Sequence, residues 1–153
     1  MDASDQLELA LRLVLAAALG AIVGFEREFR GYPAGIRTMA LVCLGATLFT
    51  DVSRVMGGDD RVAAAVVTGI GFIGAGMIFR EGATVKGMTT AATIWAMAAI
   101  GLALGNELYL VALVGTAVAV GLLELRIVTK RLDEYLQRRP READHEDETA
   151  DRD

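Results

Sequence analysis

Cysteine and histidine are nearly missing from this chain: Cys43 and His145 are the single examples in 153 residues. One cysteine rules out an internal disulfide, and its place in an apolar run implies no redox compartment. The lone histidine lies in an acidic tail, which argues against a zinc site or a histidine-based catalytic centre. No nucleophile–base pair or metal cluster stands out elsewhere, so the chain is expected not to be an enzyme and to carry no cofactor. Charge is absent altogether from Val62 to Phe79.

Apolar residues and glycine are what the chain has in quantity. Hydrophobic residues make up 54% and the mean hydropathy is +0.43, too apolar for an ordinary globular domain. The net charge of −5 misleads as an average, because seven of the twenty acids fall from Glu142 onward. The amino terminus, MDASDQLE, is acidic, and the apolar run after it leads into charged sequence, so the first hydrophobic segment reads as retained rather than as a cleaved signal.

Hydropathy predicts five spans, at about Leu7–Phe25, Thr38–Val55, Val62–Phe79, Met88–Leu104 and Leu108–Leu123. Spans of this length cover roughly 24–29 Å, just short of a typical hydrocarbon core. The second is weakest, with Thr50, Asp51, Ser53 and Arg54 toward its end, and a re-entrant helix is its alternative. With the amino terminus outside, twelve Lys and Arg fall inside and only Arg12, Arg54 and Arg61 outside. The fold class expected is therefore all-α, a multi-pass transmembrane bundle with a cytoplasmic carboxyl terminus in the plasma membrane. Residues 1–125 form the membrane domain. Residues 126–139 follow as a juxtamembrane amphipathic helix, either a partner-binding element or an interfacial extension of the last span. Residues 140–153 are a disordered acidic tail.

Four glycines fall within eight positions, Gly69, Gly71, Gly74 and Gly76. In lipid, small residues let helices approach closely. Gly20 with Gly24, and Gly101 with Gly105, repeat the small-xxx-small spacing in other spans, and all eight are assigned to helix packing. The stretch GIGFIG matches a dinucleotide fingerprint by letter, yet it sits inside an apolar span with no βαβ pattern around it. Neither a nucleotide site nor a nucleic-acid partner is expected.

Charges concentrate in FEREFRGYPAGIRT, residues 25–38. Two readings stand: interface charges that set topology, or a cytoplasmic vestibule in which Glu26 and Arg27 pair with Arg37 or with Arg80 and Glu81 of the later hairpin. A faint parallel repeat supports the second, since GFEREFRGYPAGIRTMA and GMIFREGATVKGMTTAA share a glycine, an arginine and a Gly-x-x-Thr. On this reading the glycine run holds two charged hairpins side by side. Asp51 is the only acid well inside a span, which makes it a functional candidate, although an ion pair with Arg54 three residues on accounts for it as well. Spans three to five hold no interior acid, a poor inventory for dehydrating Mg²⁺.

Two stretches, LGAIVGFEREFRGYPAGIRTMALVCLGA and TGIGFIGAGMIFREGATVKGMTTAATIWAMAAIGLALG, closely resemble the MgtC/SapB family of bacterial and archaeal membrane proteins. The resemblance implies a multi-pass helical membrane domain and a link to magnesium homeostasis. Gly35, Thr38, Gly87, Thr90 and Trp95 fall in the shared motifs, together with Glu26, Arg27, Arg37 and Arg80. It also implies action on other membrane machines, such as a cation-pumping ATPase or the ATP synthase. The cytoplasmic domain that many relatives add is not matched here. The function expected is regulation of other membrane complexes through helix packing. The alternative is a transporter of Mg²⁺ or another cation, with Mg²⁺ as ligand or substrate. Expected partners are the lipid bilayer and either further copies of the chain or such a complex.

Overall fold

A computed structural model describes residues 2–58 and 60–125. The expected juxtamembrane helix and acidic tail lie outside the described residues. The chain divides into Met1–Ala119 and Val120–Asp153; the architecture below is that of the first unit, and of the second only residues 120–125, the end of the last helix, are described. The elements run α1 (Ala3–Phe29), α2 (Ile36–Val55), α3 (Asp60–Gly76), β1 (Phe79–Glu81), β2 (Thr84–Lys86), α4 (Met88–Gly105) and α5 (Tyr109–Leu125). This is an all-α membrane bundle, and each expected span has its helix. α1, α2 and α4 are long and apolar enough to cross a membrane, while α3 and α5 are shorter apolar helices.

α1 runs past the expected span at both ends. At its start Asp5 accepts a hydrogen bond from the Asp2 amide at 2.9 Å. At the other end Glu26, Arg27 and Glu28 continue the helix, where Arg27 donates to Thr90 of α4 and Glu28 accepts from the Ile36 amide of α2. Gly31, at φ +70°, stops it, and the turn bonds back from Tyr32 N to Arg27 O at 2.9 Å. Glu28 then reaches across that turn and accepts from Ile36 N at 2.9 Å, placing an anion at the amino terminus of α2. The weak second span is one continuous 20-residue helix.

α2 packs against both α1 and α4, and glycine sets those approaches. A methyl group on Gly20 would strike the Met39 carbonyl, and one on Gly24 would lie 2.5 Å from the Ile36 Cα. On α4, Gly101 lies against the Cys43 carbonyl and Gly105 against Thr50. The core between these helices is Ala16, Leu19, Val23, Met39, Cys43, Ala46, Ile94, Met97 and Leu104. Phe25, Phe49, Phe72 and Leu110 point outward, a placement of large apolar side chains on the surface that suits lipid.

The glycine run of α3 departs from expectation. Gly74 makes ordinary contact with Ala91, its added Cβ falling 3.6 Å from the Ala91 Cβ. Among the described residues Gly69, Gly71 and Gly76 meet nothing within 4 Å, so they do not pack the hairpins together. The repeat also diverges in three dimensions. Glu26 and Arg27 are helical, whereas Arg80 and Glu81 lie on an exposed antiparallel β-hairpin that periodicity did not anticipate. Its register pairs Arg80 with Val85 and Glu81 with Thr84, and Gly82 at φ +61° makes the turn. Gly87, at φ +88° and tight against the Met77 carbonyl, starts α4 where only glycine fits.

Candidate functional site

Two polar clusters sit at opposite ends of α1. The first gathers on Arg12, 2% exposed in the middle of an apolar sequence. Its Nη1 donates to Asp51 Oδ1 at 2.5 Å, its Nη2 to Glu8 at 3.0 Å and Glu107 at 3.2 Å, and its Nε to the Tyr109 hydroxyl at 3.1 Å. Three segments far apart in sequence, at residues 8–12, 51 and 107–109, therefore meet on one guanidinium, whose planar fork suits several acceptors at once. Arg54 closes the cluster by donating to the Gly105 carbonyl at 2.9 Å and pairing with Glu107 at 2.7 Å. Glu107 itself holds a left-handed backbone, φ +63°, which is costly for a residue with a side chain and fits its grip by two arginines. The hydrogen bond and charge of Arg54 hold the Glu107 carboxyl below its ordinary value.

Asp51 thus pairs with Arg12, 39 residues away, and not with Arg54 as the local spacing suggested. Its second oxygen, Oδ2, is buried with no hydrogen-bond partner among the described residues. A cavity of about 320 Å³ opens beside it, lined by Asp5, Glu8, Arg12, Asp51, Arg54 and Glu107 with Leu9 and Val55. Arg12, Glu107 and Tyr109 were missed as site residues. Arg12 carried the same signal as Asp51, a lone charge well inside an apolar span.

The second cluster lies where α1 turns into α2. Arg27, 2% exposed, donates to the Thr90 hydroxyl of α4 and to the Pro33 carbonyl at 3.4 Å, and its guanidinium sits 4.6 Å from the centre of the Tyr32 ring. The two motif segments therefore do meet, through Arg27 and Thr90. Glu26 is also buried; Arg30 Nε comes within 2.7 Å of its Oε1 without hydrogen-bond alignment, and neither carboxylate oxygen has a hydrogen bond among the described residues. The other expected members stand apart. Arg37 and Thr38 are exposed at the start of α2, and Arg37 makes no ion pair among the described residues. Glu81 pairs with Lys86 and Arg80 donates to the Gly82 carbonyl at 3.0 Å, all within the hairpin. Gly35 packs on the Glu28 side chain, and Trp95 is more than half exposed.

A third feature is apolar. Between α2 and α3 runs a groove of about 510 Å³, walled by Leu41, Gly45 and Phe49 on one side and Val66, Gly69 and Ile73 on the other. Among the described residues no three His, Cys, Asp or Glu converge as metal ligands.

Residues 13–132 match the model of the MgtC family. The chain belongs to the MgtC family. It is 50% identical over 104 residues to Protein MgtC of Brucella abortus, covering 66% of this chain and 44% of that protein. It is 46% identical over 110 residues to Protein MgtC of Salmonella typhimurium, with coverage of 71% and 48%. YhiD of Escherichia coli K12, whose name carries magnesium transport as a proposal, is 40% identical over 129 residues, with coverage of 77% and 60%. This MgtC-family chain spans about half the length of the curated relatives it matches. No solved structure matches it significantly.

Proposed function

We propose that this chain is a multi-pass protein of the plasma membrane that serves magnesium homeostasis by regulating other membrane complexes, docking an apolar helix of such a complex in the groove between α2 and α3. The carrying observation is that groove. It is lined by apolar side chains, and a Cβ on Gly45 or Gly69 of its two walls meets nothing within 4 Å among the described residues. Close approach of backbones at small residues is how membrane helices associate, so an unfilled glycine wall suits an incoming helix. The name of YhiD supplies the magnesium link. The excess of Lys and Arg on one side supports an amino terminus outside, and membership in the family supports a role other than catalysis.

A carrier of Mg²⁺ or another cation is the competing reading, and the core between the two polar clusters weighs against it. That core is Ala16, Leu19, Val23, Met39 and Cys43, and the Thr47 hydroxyl deep within it is already spent on the Cys43 and Gly101 carbonyls. A divalent ion sheds water only where several oxygens replace it.

Gly45→Leu and Gly69→Leu project a side chain from either wall of the groove, and the Cβ of each meets nothing within 4 Å among the described residues. Each is expected to keep its membrane level and melting temperature but to lose support of growth at limiting magnesium in a strain lacking the gene. Proteoliposomes holding only this protein are expected to show no Mg²⁺ uptake above empty vesicles. Full growth with both variants, or robust uptake by the protein alone, refutes the proposal.

A further inference from the structure

The end of the bundle where α1 turns into α2 carries cations that the fold leaves open. Among the described residues it gathers Arg27, Arg30, Arg37, Arg80 and Lys86 against Glu26, Glu28 and Glu81. The acids are committed: Glu26 lies against Arg30, Glu81 pairs with Lys86, and Glu28 accepts from the Ile36 amide. Arg27 is buried on Thr90, a bond that ties the start of α4, just after the β-hairpin, to the end of α1. Arg37 and Arg80 are left exposed, with no ion pair among the described residues. Arg37 stands in the first turn of α2, where the helix dipole disfavours a cation, so an outside anion would relieve it. Large apolar side chains share this end. Phe25 and Phe29 stack with ring centroids 6.1 Å apart, and both, like Phe79 and Met88, are more than half exposed. The hairpin register sets Phe79 opposite Lys86 and Arg80 opposite the half-exposed Val85, so each of its faces carries one apolar and one basic side chain.

We infer that this end of the bundle binds the phosphate headgroups of anionic phospholipids, with the β-hairpin immersed in the headgroup layer. Cations set beside bulky apolar side chains suit neither open water nor the hydrocarbon core, and the interface between them accommodates both. Because both hairpin faces are mixed, lipid surrounds the hairpin rather than meeting one side of it. Arg80 and Arg37 take the phosphates, and Phe79, Val85 and Phe29 reach toward the acyl boundary. Charge bias orients a chain as it inserts; here the same arginines stay exposed after folding and go on attracting anions. A lipid phosphate is favoured over a soluble one because the apolar neighbours add to binding only at a bilayer. The surface lies apart from the α2/α3 groove, so lipid binding is read independently of helix docking.

The test puts a single tryptophan on the hairpin of the full chain, Val85→Trp with Trp95→Phe, in phosphatidylcholine vesicles at about 0.1 M KCl. Brominated phosphatidylglycerol or brominated phosphatidylcholine is then introduced as the quencher at equal mole fraction. Both should quench, and phosphatidylglycerol should do so at the lower mole fraction. One basic group at an anionic leaflet is worth roughly a fivefold preference, so Arg80→Gln should cut the preference by about that factor. Adding Arg37→Gln should cut it further, and raising the KCl concentration should weaken it in the parent. Arg61→Gln, roughly 22 Å away along α3, should leave it unchanged. Equal quenching by the two lipids overturns the inference, as does an equal loss in Arg61→Gln. Absence of quenching by either lipid also overturns it, since the hairpin would then stand clear of the bilayer and face a soluble partner. Displacement of brominated phosphatidylglycerol by soluble glycerol 3-phosphate would mean a free-phosphate site and overturn the lipid assignment.

Discussion

Removing Arg12 should cost more than removing Asp51, and removing both should cost less than removing Arg12 alone. Arg12 and Asp51 are 2% and 3% exposed and 2.5 Å apart. In Arg12→Met the Asp51 carboxylate stays buried and loses the one hydrogen bond donated to it among the described residues, a loss of about 3–5 kcal/mol. In Asp51→Leu the guanidinium still has Glu8, Glu107 and the Tyr109 hydroxyl, so the cost falls to roughly 1.5–3 kcal/mol for one charge-assisted hydrogen bond. The double variant replaces the pair by apolar side chains and should lie within about 1–2 kcal/mol of the parent, because such replacements are often near neutral. The assay is a double-mutant cycle from equilibrium unfolding in detergent micelles. Coupling of at least about 2 kcal/mol is expected; single costs that add within about 0.5 kcal/mol would mean that the two groups do not interact.

Glycine substitutions separate the packed from the unpacked positions. Gly101→Ala drives a methyl group against the Cys43 carbonyl and 2.8 Å from the Ala46 Cβ, and should lower stability by about 1–3 kcal/mol. Gly71→Ala meets nothing within 4 Å and should be neutral or gain up to about 1 kcal/mol from helix propensity; a reversed order of melting temperatures refutes the packing assignment. The pH response of Glu107 has a definite sign. Its folded-state carboxyl lies below its ordinary value of 4.5, held there by Arg54, so its stabilising effect is complete above that value and is lost as pH falls through the lower folded-state value. The melting-temperature difference between the parent and Glu107→Gln should therefore be constant above about pH 5.5 and vanish in stronger acid. A difference that grows as pH falls contradicts the pairing.

The apolar runs by themselves determined the helices, because an apolar stretch of 16 to 19 residues with at most two charges has few alternatives in lipid. They also placed the helix ends within a few residues, and α1 runs farthest past its expected span, by four residues at each end. Gly20, Gly24, Gly101 and Gly105, which carry the small-xxx-small spacing, lie where α2 meets α1 and α4. The same spacing misled on α3, since a glycine ladder states that close approach is allowed and not which helix approaches.

Charge pairing was decided only by the tertiary structure. Spacing along one helix offered Asp51 a partner at Arg54, but the rotation and depth of α1 bring Arg12 to it from 39 residues away and send Arg54 to Glu107. The two motif segments of the sequence do come together, yet through Arg27 and Thr90, while Arg80 and Glu81 are carried off on a β-hairpin. Composition fixes how many charges must be buried or exposed in a membrane chain. Which of them meet depends on how the helices rotate and slide against each other, and no local pattern encodes that.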